Sequence, residues 1–600
     1  MRFKFHLLLV LFILGTTLPN FAFVSKRVTE TGAFLFYNVD NPPFGIPRTV
    51  FNPATKALIF SFAEDAFSEE NREAELNALR AAFGQWQAIP HSKLRFEEGP
   101  LVPAGTDINR EDGTNVVFWA KSSTLVNGEM TDIRGRLGLA FTLFFADGRM
   151  IASDIVLNGV EHDWYANPAE PVPDARFIEG TTIHEIGHSI GLEHSPLGAA
   201  TMFARDGDGN GFQVGLTPDE FSFVQTFYGD ENEGNLATIE GRIMVDGVGA
   251  MGAMVVLETP DGTVVSGTAS LAESPQNAAG HYELVGIPAG NYLIRVEPFA
   301  PNGAPQTLVT GRDISLFRFG DAFTDFPPTE SQVITVNTGD TLTVDFELDP
   351  TPPAFRIERI RQLTDNPFTI RIGNSPVVLT QGQSDLEVGV FGADLPTDNV
   401  ELLISGDGLT LGATEITTQF FGGLPHISRL VSVADDATPG LRNFIVKRGE
   451  DIAYATGFVE IQAKEPDYNF DGLDDNFQRA FFPLFTSDEA GPSADPDNDG
   501  FTNEEEAEAG TNPSEFNDTL APPVAVSPFP ILSVVLSPIG ATVTIDSTAG
   551  AVYQLYTRAD VGSGDWTAIG NPVTGTGAPL TITDSTATDD IRFYEVRTAE

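Results

Sequence analysis

Between Glu69 and Trp86, apolar residues recur at helical spacing: Leu76, Leu79, Phe83 and Trp86 share one face, and the first turn is acidic. The pattern predicts a helix there, with Ser68 as its cap. Apolar runs at Asn115–Trp119, Leu137–Phe145 and Ile151–Leu157 read as strands. A second helix is expected from Phe177 to Leu192, after a loop holding Pro171 and Pro173. The run Thr217-Pro218-Asp219-Glu220 is a cap followed by proline and acids, so it opens a third, short helix that ends at Gly229. Residues 49–229 therefore form an α/β unit. Beyond Gly229 the texture changes to short β-rich runs broken by glycine and proline, over 238–350, 354–464 and 524–600, with Pro352 and Pro353 marking a joint. A short acidic stretch, 465–520, separates the last two.

Six hundred residues exceed what one hydrophobic core supports, which agrees with several domains. The chain carries 34 basic against 84 acidic residues, a net charge of −50. Phosphate binding needs a basic surface, so nucleic acid is excluded as a partner. Such acidity suits solubility in a salty medium and local binding of divalent cations. No cysteine is present, which removes disulfides, thiolate catalysis and cysteine-held zinc. The start, Met1-Arg2-Phe3-Lys4 followed by an apolar run from Leu7 to Leu14, reads as a secretory signal of about 23 residues and is too short to span a membrane. The expectation is a secreted, extracellular protein without a membrane span, open to cell-surface association and monomeric.

The chemistry concentrates in His184-Glu185-Ile186-Gly187-His188-Ser189-Ile190-Gly191-Leu192-Glu193-His194. On a helix, positions i and i+4 share a face, so His184 and His188 can offer imidazoles to one metal ion. Glu185 stands next to that metal yet remains free to hold an attacking water. Gly191 permits the backbone turn that returns His194 as third ligand. Three imidazoles leave a coordination position open, the mark of a catalytic zinc. Three of the chain's eight histidines fall in this stretch, which argues against a chance match.

This pattern resembles the metzincin signature, and its surroundings resemble the matrixin-type zinc metalloproteases. Ser195 follows the third histidine, and Ala200-Thr201-Met202-Phe203 is similar to the family's Met-turn, which implies that Met202 lies beneath the metal. Leu216 to Gly229 resembles the family's closing helix, and Ala82 to Trp86 with Leu94 to Phe96 its first helix and strand. The resemblance implies a secreted zinc metalloendopeptidase that hydrolyses extracellular proteins or peptides, with Glu185 as general base. Leu137–Phe141 would be the edge strand that pairs with an extended substrate, although a buried core strand fits the same residues equally well. The implied fold class is multidomain: an α/β metzincin catalytic domain followed by all-β sandwich modules and a short calcium-binding segment.

The chain also departs from the family. No histidine lies between Asp107 and Asn158, so the second, structural zinc is expected to be absent. Asp154 is left with a calcium role or a strand-capping role. A cysteine switch is impossible, so latency would come from residues 24–48 or from an inhibitor protein. The stretch after the Met-turn is altered: Asp206, Asp208 and Asn210 have calcium-loop spacing, but Thr217 stands where the twelfth position needs an acid, so a polar loop is the reading there.

Asp495, Asp497, Asp499, Phe501, Asn503 and Glu506 occupy positions 1, 3, 5, 7, 9 and 12 of a calcium loop, with Gly500 at the sharp turn. Asp467, Asn469 and Asp471 begin a partial second copy with Gln478 at its twelfth place. The pair resembles thrombospondin type 3-like repeats, which implies structural calcium in addition to one catalytic zinc; a solvated acidic linker is the bland alternative. The segment Gly280 to Tyr292 resembles the carboxypeptidase regulatory-like (prealbumin-like) domain. The expected layout is a signal peptide (1–23), a matrixin-like domain (24–230), a prealbumin-like sandwich (236–351), an immunoglobulin-like domain (354–464), a calcium segment (465–520) and a C-terminal sandwich (524–600). The β modules are candidates for gripping a surface glycan or protein. A non-enzymatic adhesion protein is the rival reading, and the intact Glu185 speaks against it. A carbohydrate hydrolase lacks an identifiable carboxylate pair.

Overall fold

In the computed structural model, the apolar runs of the first 230 residues pair into one five-stranded sheet. Its strands are β1 (Leu58–Phe62), β2 (Phe96–Glu98), β3 (Asn115–Ala120), β4 (Gly138–Phe144) and β5 (Met150–Asn158), in the order β2-β1-β3-β5-β4. The first four in that order run parallel, while β4 pairs antiparallel to β5 and forms an edge. The structure describes residues 26, 33–40, 50–109, 112–204, 214–230, 236–273, 277–299, 325–365, 368–418, 423–516, 531–537, 540–545, 547, 551–558, 566–586 and 592–599. The signal-like start and the Asp206–Asn210 loop lie outside them.

Helices α1 (Arg72–Ala88) and α2 (Ile178–Ile190) bury their apolar faces against this sheet, and α3 (Pro218–Tyr228) closes the unit. Trp86 is fully buried and its indole N–H donates to the Ile183 carbonyl at 2.9 Å, which ties α1 to α2. Thr217 caps α3 as the sequence pattern predicts, and Glu220 returns a bond to it to make the cap reciprocal. The start of α1 differs from expectation. Ser68 is not its cap; the helix begins at Arg72 with Asn71 at the N-cap. Buried Glu75 draws Ser68 into the preceding loop, accepting from Ser68 Oγ (2.7 Å) and from the backbone N–H groups of Phe67 (2.9 Å) and Ser68 (2.8 Å). Asp154, buried on β5, accepts from the backbone of Asn109 (3.0 Å) and Val116 (3.1 Å), so it holds a loop and a neighbouring strand.

The described residues fall into two compact units divided between Gly491 and Pro492. Within the first, the described residues between Ala237 and Gln462 hold strands and no α-helix, and α4 (Asp475–Phe481) follows them. Strands of the two β blocks join in one eight-stranded sheet where Val264 faces Leu441. Fully buried Arg295 binds across this region, donating to Glu258 (3.0 Å) and Thr456 (2.7 Å). The N-terminal α/β part docks on the same sheet. Gly198 N and Ala199 N donate to the carbonyls of Thr456 (3.1 Å) and Gly457 (2.7 Å), and Phe203 packs edge-on to Phe458. The second unit contains α5 (Asn503–Ala509) and two three-stranded sheets around Val543, Tyr553, Leu555 and Val596. No helix among the described residues is long and apolar enough to cross a membrane.

Candidate active site

Helix α2 places His184 and His188 on one face, with ring centroids 4.8 Å apart. It stops at Gly191, whose φ of +121° ends the helix in a conformation L side chains rarely adopt. A Cβ at Gly191 would also lie 2.0 Å from the Leu35 carbonyl oxygen. The chain turns there and brings His194 back, its ring 5.2 Å from His184 and 4.8 Å from His188. One nitrogen of each of the three rings falls within 4.8 Å of the other two.

Two of the rings are anchored from behind. His184 Nδ1 lies 2.8 Å from the Thr201 carbonyl, and His188 Nδ1 lies 2.8 Å from the Leu192 carbonyl. Both contacts require Nδ1 to carry the proton, which leaves Nε2 as a lone-pair donor. Burial lowers the pKa of His184 to about 4 and that of His188 well below the usual imidazole range, so both are neutral at pH 7. Three convergent imidazoles, two of them neutral with fixed tautomers, fit a zinc ion.

Glu185 is buried, with Oε2 free of hydrogen-bond partners among the described residues. Burial raises its pKa to about 8. Beside a bound cation the group returns toward the carboxylate. Its position depends on a close approach, since a Cβ at Gly138 on β4 would stand 2.7 Å from Glu185 Oε1. Met202 lies under α2, fully buried, and a Cβ at Gly187 would fall 2.3 Å from its Sδ. The turn carrying Met202 is braced by Ser195 N donating to the Met202 carbonyl (2.7 Å), Ser195 Oγ to Asp219 (2.7 Å) and Met202 N to Glu220 (3.0 Å).

The sequence alone did not reveal Lys26, Gly138, Gly187 or the carbonyls behind the rings. Buried Lys26 donates from Nζ to the His188 carbonyl at 3.1 Å, and its N–H donates to the Gly191 carbonyl at 2.7 Å. Backbone acceptors and close approaches depend on the folded path, so no local residue pattern marks them.

In the second unit, Asp495, Asp497 and Asp499 bring one carboxylate oxygen each within 4.8 Å of the others. Phe501 N donates to Asp499 at 2.9 Å, and Asn503 and Glu506 are buried on α5. The loop at Asp467, Asn469 and Asp471 makes the same internal bonds as this one, in which Asp495 accepts from the backbone of Asp499 (3.2 Å) and Gly500 (3.0 Å). Asp467 accepts from the backbone of Asp471 and Gly472 (both 3.0 Å), and the Asn469 amide donates to Asp471 (2.9 Å) and Gln478 (3.1 Å).

The site defines a zinc hydrolase class: three imidazoles on a turn-terminated helix with an adjacent carboxylate. Residues 53–229 match the family model described as matrixin, so this part of the chain is a matrixin-type, zinc-dependent metallopeptidase domain. Residues 495–514 match the bacterial TSP3 repeat. Among solved structures, the chain is similar to the major pilin subunit BcpA of Bacillus cereus at 14% identity, covering 38% of this chain and 69% of the pilin with a TM-score of 0.13. It is also similar to the major pilin SpaD of Corynebacterium diphtheriae at 8% identity, covering 61% of this chain and 81% of that one with a TM-score of 0.11. At those scores neither likeness defines a fold.

Proposed function

We propose that the chain is a secreted endopeptidase acting on extracellular proteins, with Glu185 as general base. The observation that carries this reading is the buried Glu185 Oε2, without a hydrogen-bond partner among the described residues, beside three convergent imidazoles. His184, His188 and His194 would hold the zinc. When bound, zinc supplies a water acidified to a pKa of ~7 and polarises the scissile carbonyl. Glu185 accepts a proton from the attacking water at Oε2 and delivers it to the leaving amine. Gly138 leaves room for that carboxyl. Strand β4 ends the sheet, with no strand beyond it among the described residues, which suits pairing with an extended peptide by strand addition. The test is digestion of casein by the full chain: chelation should abolish cleavage and zinc should restore it. Cleavage that persists without metal would refute the reading.

Calcium at Asp495, Asp497 and Asp499 is the companion proposal, supported by their convergence and the repeat match. Calcium should raise the thermal midpoint of the wild type, and Asp499→Ala should remove most of that shift. An unchanged response in the variant would remove this loop from consideration.

A further inference from the structure

We propose that Arg479 is a positioning residue for the zinc site, and that residues 466–487 belong to the catalytic unit although they lie beyond both β blocks. Arg479 sits on α4 (Asp475–Phe481), some three hundred residues after the helix it touches. Its guanidinium binds Glu179 in the first turn of α2 with two parallel bonds: Nη1 to Oε2 at 2.8 Å and Nη2 to Oε1 at 2.7 Å. Glu179 is 1% exposed, and Arg479 also stacks on Phe485 at 3.8 Å. A planar fork meeting a buried carboxylate fixes both distance and orientation, which a lysine ammonium cannot do.

From Glu179 the bonds continue to the metal ligands. Gln85 Nε2 donates to Glu179 Oε1 (2.5 Å) and to the Val214 carbonyl (3.1 Å). The next carbonyl, of Gly215, accepts from Thr201 Oγ1 at 2.6 Å, and the Thr201 carbonyl fixes His184 Nδ1 at 2.8 Å. The 466–487 segment holds this path at a second point. A Cβ at Gly215 would fall 1.9 Å from the Tyr468 ring, so ring and backbone lie flush there. Phe470 also packs edge-on to Phe221 of α3, with centroids 5.3 Å apart. The clamp thus fixes the start of α2 and the backbone at Val214 and Gly215 behind Thr201, the two segments that orient His184. Arg479 does not act on substrate.

This inference rests on the metallopeptidase reading only for its activity arm. In the full-length chain, Arg479→Met should weaken zinc about ten-fold in chelator competition, the lower end of the range for outer partners of metal ligands. Per zinc-loaded molecule, kcat on a short peptide should fall by about the same factor while KM stays within about two-fold. Arg479→Lys, which keeps charge but loses the fork, should lie between the two. A folded Arg479→Met with wild-type zinc affinity and kcat overturns the proposal. If that variant does not fold, Arg479→Lys decides, and wild-type zinc affinity there overturns it equally. A wild type that holds zinc but cleaves nothing would refute the peptidase reading, while the zinc arm still judges the clamp.

Discussion

Glu185→Gln is expected to lower kcat on casein by about 10²–10⁴-fold, the span that a positioned general base contributes. The substitution preserves shape and fills the same space beside Gly138. It removes the carboxylate that stands beside the imidazoles and can take a proton from an attacking water. Glu185 is not one of the three converging ligands, so zinc content should remain at one ion per chain. Full activity in the variant would transfer the base role elsewhere. Loss of zinc along with activity would make Glu185 a ligand instead.

His188→Ala is expected to weaken zinc by more than ~100-fold, the ceiling for partners that act only through a ligand. Its ring stands 4.8 Å from each of the other two, so its loss opens the set between them. Proteolysis should fall with zinc occupancy and return only in part at high zinc concentration. Metal analysis after gel filtration, beside a casein digest, checks both. One retained zinc with wild-type turnover would remove His188 from the ligand set.

The ligand helix was legible because its signal is local: two histidines four apart, a glycine where the helix must end, and a third histidine just beyond it. The Thr217 cap and the β4 strand were legible for the same reason, from local pattern, whereas the edge position of β4 was not: a buried core strand fits the same residues. The start of α1 was not, because buried Glu75 competes for Ser68 through a loop that no periodicity describes. For Asp154 the sequence offers a metal or a structural role, and the folded loop at Asn109 shows the backbone bonds of the structural one. Arg479 was invisible for a deeper reason. Its partner lies in another part of the sequence, and a single arginine on a seven-residue helix carries no pattern. The β-rich texture predicted sheets but not their continuity, since Val264 meets Leu441 across two blocks separated by a proline joint.

Anomalous diffraction at the zinc edge, from crystals of the full chain, tests the central claim most directly. One strong peak is predicted about 2.0–2.1 Å from Nε2 of His184, His188 and His194. An absent peak, or a peak that only two of these rings reach, would contradict it.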